Sequence, residues 1–437
     1  MDKRPLIRRL TTRDRGLDII NEVSDNSAAD ARVDARVSEI VADVARRGDE
    51  ALVGYTSELD GWEVPDARAL EIPRARMDDA LSHLVADDRH ALETAADRLR
   101  LYAEHQKLKD AGYTDGAGNR LGHVVRPIER AGVYVPGGAA AYPSSVLMNT
   151  IPARVAGVDQ VIMVSPTPGG RVNEWVLAAA ALAGVNRFFA VGGAQAIAAL
   201  AYGTETLPPV DKIVGPGNAY VAAAKRQVFG RVGIESVAGP SEVLIIADAS
   251  ANPRWLALDL CAQAEHDPGA RATLLSPDEA MLDAVEHCLA EEVDQLPRAE
   301  IIRASFNNNG ALIEVADLDE AFALSNRVAP EHLELAIVDA NDWIERIRHA
   351  GAVFIGHCTP EVLGDYCAGP NHVLPTGRTA RFSSALGTYD FQKRVSVVEA
   401  SAAGAAQLAP VAQRLAEAEG LDAHASSAHV RGLPGDS

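Results

Sequence analysis

Nitrogen and oxygen side chains that suit a divalent metal recur in four short stretches in the second half of this chain. They are Cys-Ala-Gln-Ala-Glu-His-Asp-Pro at 261–268, Ala-Pro-Glu-His-Leu at 329–333, Gly-Asp-Tyr-Cys-Ala-Gly-Pro-Asn-His at 364–372 and Glu-Gly-Leu-Asp-Ala-His at 419–424. Each sets His beside Asp, Glu or Gln, next to Pro or Gly that shapes the backbone. Mixed imidazole, carboxylate and amide donors fit a borderline ion such as Zn²⁺. Gln263 and His266 stand three apart, so on a helix they share one face, and Pro268 would end that helix. Asp365 and His424 could complete a set of four protein ligands. Taken singly, each of these histidines serves equally well as a structural hydrogen-bonding group. His83, His90, His105 and His287 read as surface or packing residues.

Glu331-His332 offers different chemistry, because adjacent titratable groups pointing in different directions can divide proton transfer between them. A histidine titrating near neutrality is the most effective general base at working pH. The competing local reading is a helix N-terminus with Glu favoured by the dipole. Cys261 and Cys367 have no Lys or Arg nearby to lower a thiol pKa, so packing is the expected role for both.

These stretches span much of the chain, so the fold must gather them. The chain has 437 residues, 47% of them apolar, which predicts a large core divided into about two to four domains. A net charge of −20 argues against a nucleic-acid or anionic-membrane surface. The longest apolar run, Trp175 to Val185, is well short of the ~20 residues of a membrane span. The N-terminal segment lacks the apolar core of a secretory signal. The four cysteines (261, 288, 358 and 367) form no CxxC pair, so a cytoplasmic protein with reduced thiols is expected.

Helical spacing dominates residues 1–130, as at Val33, Val37, Ile40, Val41 and Val44, and the charges there read as a solvated face. From about 131, strands alternate with helices, which predicts βαβ units and a parallel sheet. Glycine turns close three of the strands, at Gly137-Gly138, Gly192-Gly193 and Gly215-Pro-Gly217. Such turns bring backbone N–H groups and a helix N-terminus to a phosphate, or simply connect strand to helix. No GxGxxG fingerprint is present. Gln195 and Asn218 follow their turns closely enough to hydrogen-bond a ribose or amide, and Tyr134 is placed to stack on a ring. A second boundary at Ser236–Pro240 leads into more α/β sequence, and the last ~55 residues read as small-residue helix and tail.

Eight blocks, in order over nearly the full length, resemble the histidinol dehydrogenase family. They lie at 130–148, 192–199, 215–220, 239–248, 261–268, 329–333, 364–376 and 419–424. The resemblance implies zinc-dependent oxidation of L-histidinol to L-histidine in two NAD-dependent steps, through bound L-histidinaldehyde. It implies Gln263, His266, Asp365 and His424 as zinc ligands, one ion per subunit, and His332 as general base. Glu331 would activate water, Ser241, His372 and Glu419 would contact substrate, and Tyr134, Gln195 and Asn218 would hold NAD. Also implied is an intertwined homodimer of two incomplete Rossmann-like domains with small terminal helical extensions, in which Glu419 and His424 serve the partner's active site.

The division expected on this reading is an N-terminal arm at 1–25 and a metal and acid–base domain of 26–130 plus 240–381. A nucleotide domain at 131–239 is inserted between them, and a C-terminal extension spans 382–437. Rival readings are a two-lobed binding protein for a zinc-chelating amine, a zinc hydrolase, and a cysteine-dependent aldehyde dehydrogenase. The hydrolase lacks an HExxH helix, and the dehydrogenase would require an essential Cys261 or Cys367.

Overall fold

The computed structural model describes residues 6–13, 16–19, 31–137, 141–237 and 239–432. Two six-stranded sheets organise the chain. In the first, the strands Arg8–Thr11, Ala311–Glu314, Arg271–Ser276, Glu242–Ala247, His332–Ala336 and Ala352–Ile355 stand in that order, all parallel. In the second the order is Glu71–Ile72, Arg187–Phe189, Gln160–Val164, Arg130–Tyr134, Lys212–Val214 and Gly233–Ile234, with only Glu71–Ile72 antiparallel. Every residue of Glu242–Ala247 is buried, as expected of a parallel strand covered by helices on both faces. A smaller antiparallel sheet joins Gln392–Glu399, Arg120–Pro127 and Ala111–Thr114.

The α/β class and the two parallel sheets follow the sequence reading; the domain division differs from it. Helices of the 31–105 region flank the second sheet, not the first. Val37, Ile40 and Val44 pack with Ile162 and Phe189 on one face, and Met77, Leu92 and Leu99 pack with Val133 and Val161 on the other. Both faces of the first sheet are already filled by its own crossover helices, through Leu256, Leu260 and Phe306 on one side and Ala321 and Leu324 on the other. An amphipathic helix requires an apolar face to cover, and these find it on the crossover helices of the second sheet: Ala31–Arg47 lies against Gly193–Tyr202 and Ala219–Val228, Arg74–His83 against Glu174–Ala183, and Ala86–His105 against Pro143–Ala156. Residues 111–127 leave this group to pair with the C-terminal strand Gln392–Glu399, which the sequence reading assigned to helix and tail. Within the arm, Arg8–Thr11 is an edge strand of the first sheet; residues 1–5, 14–15 and 20–25 lie outside the described residues.

Candidate active site

The helix Pro253–Ala264 is started by Asn252, whose side chain accepts from the backbone N–H groups of Arg254 and Trp255, and by Pro253 at its first position. Its inward stripe runs Leu256, Ala257, Leu260, Cys261, Gln263 and Ala264. Gln263 is the polar residue in that stripe, fully buried, which marks it as a residue with a task. The helix ends at Ala264, before Pro268, and one further turn, from His266 N–H to Gln263 C=O at 3.3 Å, presents His266.

Glu331 and His332 arrive by another route. The helix Leu318–Val328 ends at Ala329 in the left-handed region (φ 53°), and the chain then enters the strand His332–Ala336. The pair therefore opens a strand, and the helix-N-terminus reading is set aside. Val243 and His332 are direct partners in the sheet, so Ser241 and Glu242 lie beside Glu331 and His332 at the amino edge.

There the polar groups interlock. His332 Nδ1 donates to the carbonyl of Glu242 at 3.1 Å, which leaves Nε2, buried and without a partner, 3.7 Å from Asp365 Oδ1. A carbonyl can only accept, so whenever His332 is neutral its proton sits on Nδ1 and the lone pair on Nε2. Glu331 Oε2 accepts from Glu242 N–H at 2.9 Å and lies 3.8 Å from His332 Nδ1. Glu361, on the same short helix as Asp365, stands 3.7 Å from Nδ1. Donor atoms of His266, Glu361 and Asp365 all lie within 4.8 Å of one another, close enough to share one ion. Gly364 is required on that helix, because a Cβ there would sit 2.5 Å from the Phe354 ring.

Burial dominates the electrostatics. It pushes the Glu331 carboxyl up to about 8, with His332 pulling the other way. It also opposes charge on His332, yet Glu361, Glu331 and Asp365 outweigh it and hold the imidazole well above 6.5. Asp365 resists its own burial through His332 and stays below 3.8. Behind the site, burial raises Glu334 to about 8 and Asp259 to about 6. Burial likewise lifts the Cys261 thiol to about 12, so it is no nucleophile.

His372 ties this edge to the other sheet. Its Nδ1 donates to the Asp365 carbonyl at 2.9 Å, and its Nε2 meets Ser145 Oγ at 3.4 Å, on the helix Pro143–Ala156. Asn371 Nδ2 reaches the Met148 carbonyl at 2.6 Å. The carboxyl edge of the second sheet is thereby held against the amino edge of the first.

On that carboxyl edge, Gly215 takes φ 116° and lies so close to the Tyr134 carbonyl that a Cβ would approach it to 2.0 Å. Buried Lys225 braces the turn, donating to the Gly215 carbonyl at 3.1 Å and to Glu235 Oε1 at 2.7 Å, which also accepts from Gly215 N–H at 2.8 Å. The Tyr134 ring is buried in the core and cannot stack on a ligand; its hydroxyl accepts from Gly193 N–H at 3.2 Å instead. Asn218 uses its amide oxygen to cap the helix Ala219–Val228, which leaves only its NH₂ for a ligand. Gln195 is 1% exposed, and its Oε1 has no partner. A cavity of about 480 Å³ opens beside Gly137, Ser165 and Thr167, and Thr167 Oγ1 is also buried and unpartnered. An orphaned Thr167 Oγ1 in the lining of a cavity of this size fits a dinucleotide, and Gln195 Oε1, outside that lining, is a second orphan beyond the same sheet. Gly138 lies outside the described residues.

Seven predicted residues thus meet at one edge: Ser241, Gln263, His266, Glu331, His332, Asp365 and His372. Glu419 and His424 do not join them within one chain. Both are exposed, Glu419 at the C-terminal cap of Ala402–Ala418 and His424 on Asp422–Arg431, two helices that pack on each other, and His424 is absent from the 4.8 Å cluster among the described residues. Glu361 was missed by the sequence reading. Its only signal is a position four residues before Asp365, on the same helical face.

The family profile described as "Histidinol dehydrogenase" matches residues 23–432. A histidinol dehydrogenase of Dechloromonas aromatica is 56% identical over 93% of this chain and 94% of its own length. One of Pseudomonas aeruginosa is 55% identical over 97% of both chains. The crystal structure of histidinol dehydrogenase from Elizabethkingia anophelis superposes with a TM-score of 0.92 at 33% identity, covering 98% of each chain. By its match to the family profile and to these relatives over nearly its whole length, the chain belongs to the histidinol dehydrogenase family.

Proposed function

We propose that this chain oxidises L-histidinol to L-histidine in two successive NAD-dependent steps through bound L-histidinaldehyde, closing histidine biosynthesis in the cytoplasm. The observation that carries this reading is the unpartnered, buried Nε2 of His332, 3.7 Å from Asp365 and beside the cluster of His266, Glu361 and Asp365.

The donor set suits zinc, with Gln263, His266 and Asp365 as ligands from one chain and His424 from a second copy. When bound, zinc supplies an anchor for the imidazole and amine of the substrate, an orientation effect. NAD, held by Gln195 and Asn218 with Tyr134 supporting the Gly193 turn through its hydroxyl, would supply the hydride acceptor for each oxidation. His332 takes the substrate hydroxyl proton at Nε2 as the first hydride leaves. Glu331 then takes a proton from the water that adds to the aldehyde while His332 returns its proton to the carbonyl oxygen, and His332, neutral again, deprotonates the hydrate as the second hydride leaves. Ser241, His372 and Glu419 position the substrate.

A homodimer with a shared active site is part of this proposal. Val395, Val398, Leu408, Val411, Leu415 and Val430 lie exposed along the C-terminal extension, an apolar surface that a second copy would cover.

The test is NADH formation from L-histidinol as purified, after chelation and after zinc is restored. Two NADH per histidinol, lost with chelator and regained with zinc, is the expected result. Absence of NADH with zinc bound would overturn the reading.

A further inference from the structure

The Gln263 amide can coordinate a cation only through its oxygen, since the amide nitrogen has no available lone pair. In one of its two orientations that oxygen would face the Glu361 carboxylate, acceptor against acceptor. In the other, Gln263 Nε2 donates to Glu361 Oε1 at 2.8 Å and to Oε2 at 3.2 Å, and the oxygen is turned away from Glu361. Gln263 is fully buried, so water cannot satisfy the wrong orientation.

Glu361 is itself firmly placed. It is 3% exposed and opens the helix Glu361–Tyr366, and its backbone N–H donates to Glu334 Oε1 at 2.5 Å. Asp365 follows four residues later on the same face, and Gly364 lets the helix press onto Phe354.

We propose that Glu361 is a positioning residue for the metal site: by accepting from the Gln263 NH₂ it turns the Gln263 oxygen toward the cation. This inference rests on the zinc reading above. Groups that orient a metal ligand without binding the metal are the usual partners of such ligands.

The test is a zinc competition titration of the full-length protein against a chromogenic chelator, with the visible spectrum of the Co²⁺-loaded form as second readout. Glu361→Leu should weaken zinc about 10–100-fold, in line with other orienting partners of metal ligands. Glu361→Gln keeps an accepting oxygen; it should bind zinc more tightly than Glu361→Leu and leave the Co²⁺ spectrum unchanged. In a Gln263→Ala background, Glu361→Leu should add nothing, because the group it orients is gone. Additive losses in that cycle, or a Co²⁺ spectrum altered by Glu361→Gln, would overturn the proposal and make Glu361 a ligand in its own right. Should Glu361→Leu fail to fold, the Glu361→Gln spectrum decides alone. Wild-type protein that takes up no zinc would instead sink the parent reading.

Discussion

Strand for strand, the two six-stranded sheets are laid out alike: each has a leading edge strand and then the order third, second, first, fourth, fifth of its own unit. They nevertheless use opposite edges. The second sheet carries its glycine turns and its cavity at its carboxyl edge, where open doubly wound sheets ordinarily bind ligands. The first places Glu331, His332 and Ser241 at its amino edge, and its carboxyl edge between Ala247 and Ala336 is closed. There Trp255, Leu256 and Leu335 leave a space of about 10 Å³, against about 480 Å³ on the second sheet. A space that small admits about one water at most. One topology thus supplies both halves of a site, provided one unit presents its amino edge to the other's carboxyl edge. His372 and Asn371 hold that arrangement, with Arg98 of the helix Ala86–His105, whose Nε donates to the Cys367 carbonyl at 2.7 Å.

The comparison predicts separable defects. The largest effect is expected at the amino edge: His332→Asn should lower kcat by about 10²–10⁴ while leaving dinucleotide binding intact, as the loss of a general base does. Equal loss of both in steady-state and binding assays would mean the edges are not independent.

Next is the brace of the carboxyl edge. Lys225→Met leaves Glu235 buried and unpaired, which should cost about 3–5 kcal/mol in denaturant unfolding. Zinc affinity, measured separately, should hardly move in the folded fraction.

A smaller effect is expected from Gln195→Ala. With its oxygen unpartnered in the free protein, the change should raise KM for NAD about tenfold, the scale of one hydrogen bond, with little loss of thermal stability. A large stability loss with unchanged KM would assign Gln195 to the core.

The mildest test uses pH. Glu334 is raised by burial from 4.5 to about 8, so the folded chain keeps a proton that the unfolded chain releases near 4.5. Its contribution is therefore fully present below pH 4.5 and is lost progressively until about pH 8. Glu334→Gln still accepts from Glu361 N–H; it should raise the melting temperature of metal-free protein at pH 8 relative to wild type and give little gain at pH 4.5. A constant gap across pH would rule out the carboxyl proton as the cause.

Much of the site was legible because its chemistry is local. Gln263-x-x-His266, Glu331-His332 and Asp365 each sit beside residues that dictate a turn or cap, and strands alternating with helices announce parallel sheets. Other features depended on what each segment packs against. Tyr134 reads as a ring placed to stack on a ligand, but at 3% exposure it is core. Asn218 reads as a ligand contact, but its oxygen caps a helix. Glu361 looks like one more acidic residue at a helix start; burial beside Gln263 gives it a role. The helices of residues 31–105 carry an apolar stripe that says they must cover a sheet, without saying which. The hydrophobic effect that buries such a stripe is non-directional, so the choice of sheet, and of the edge left open for chemistry, falls to the fit of the whole chain.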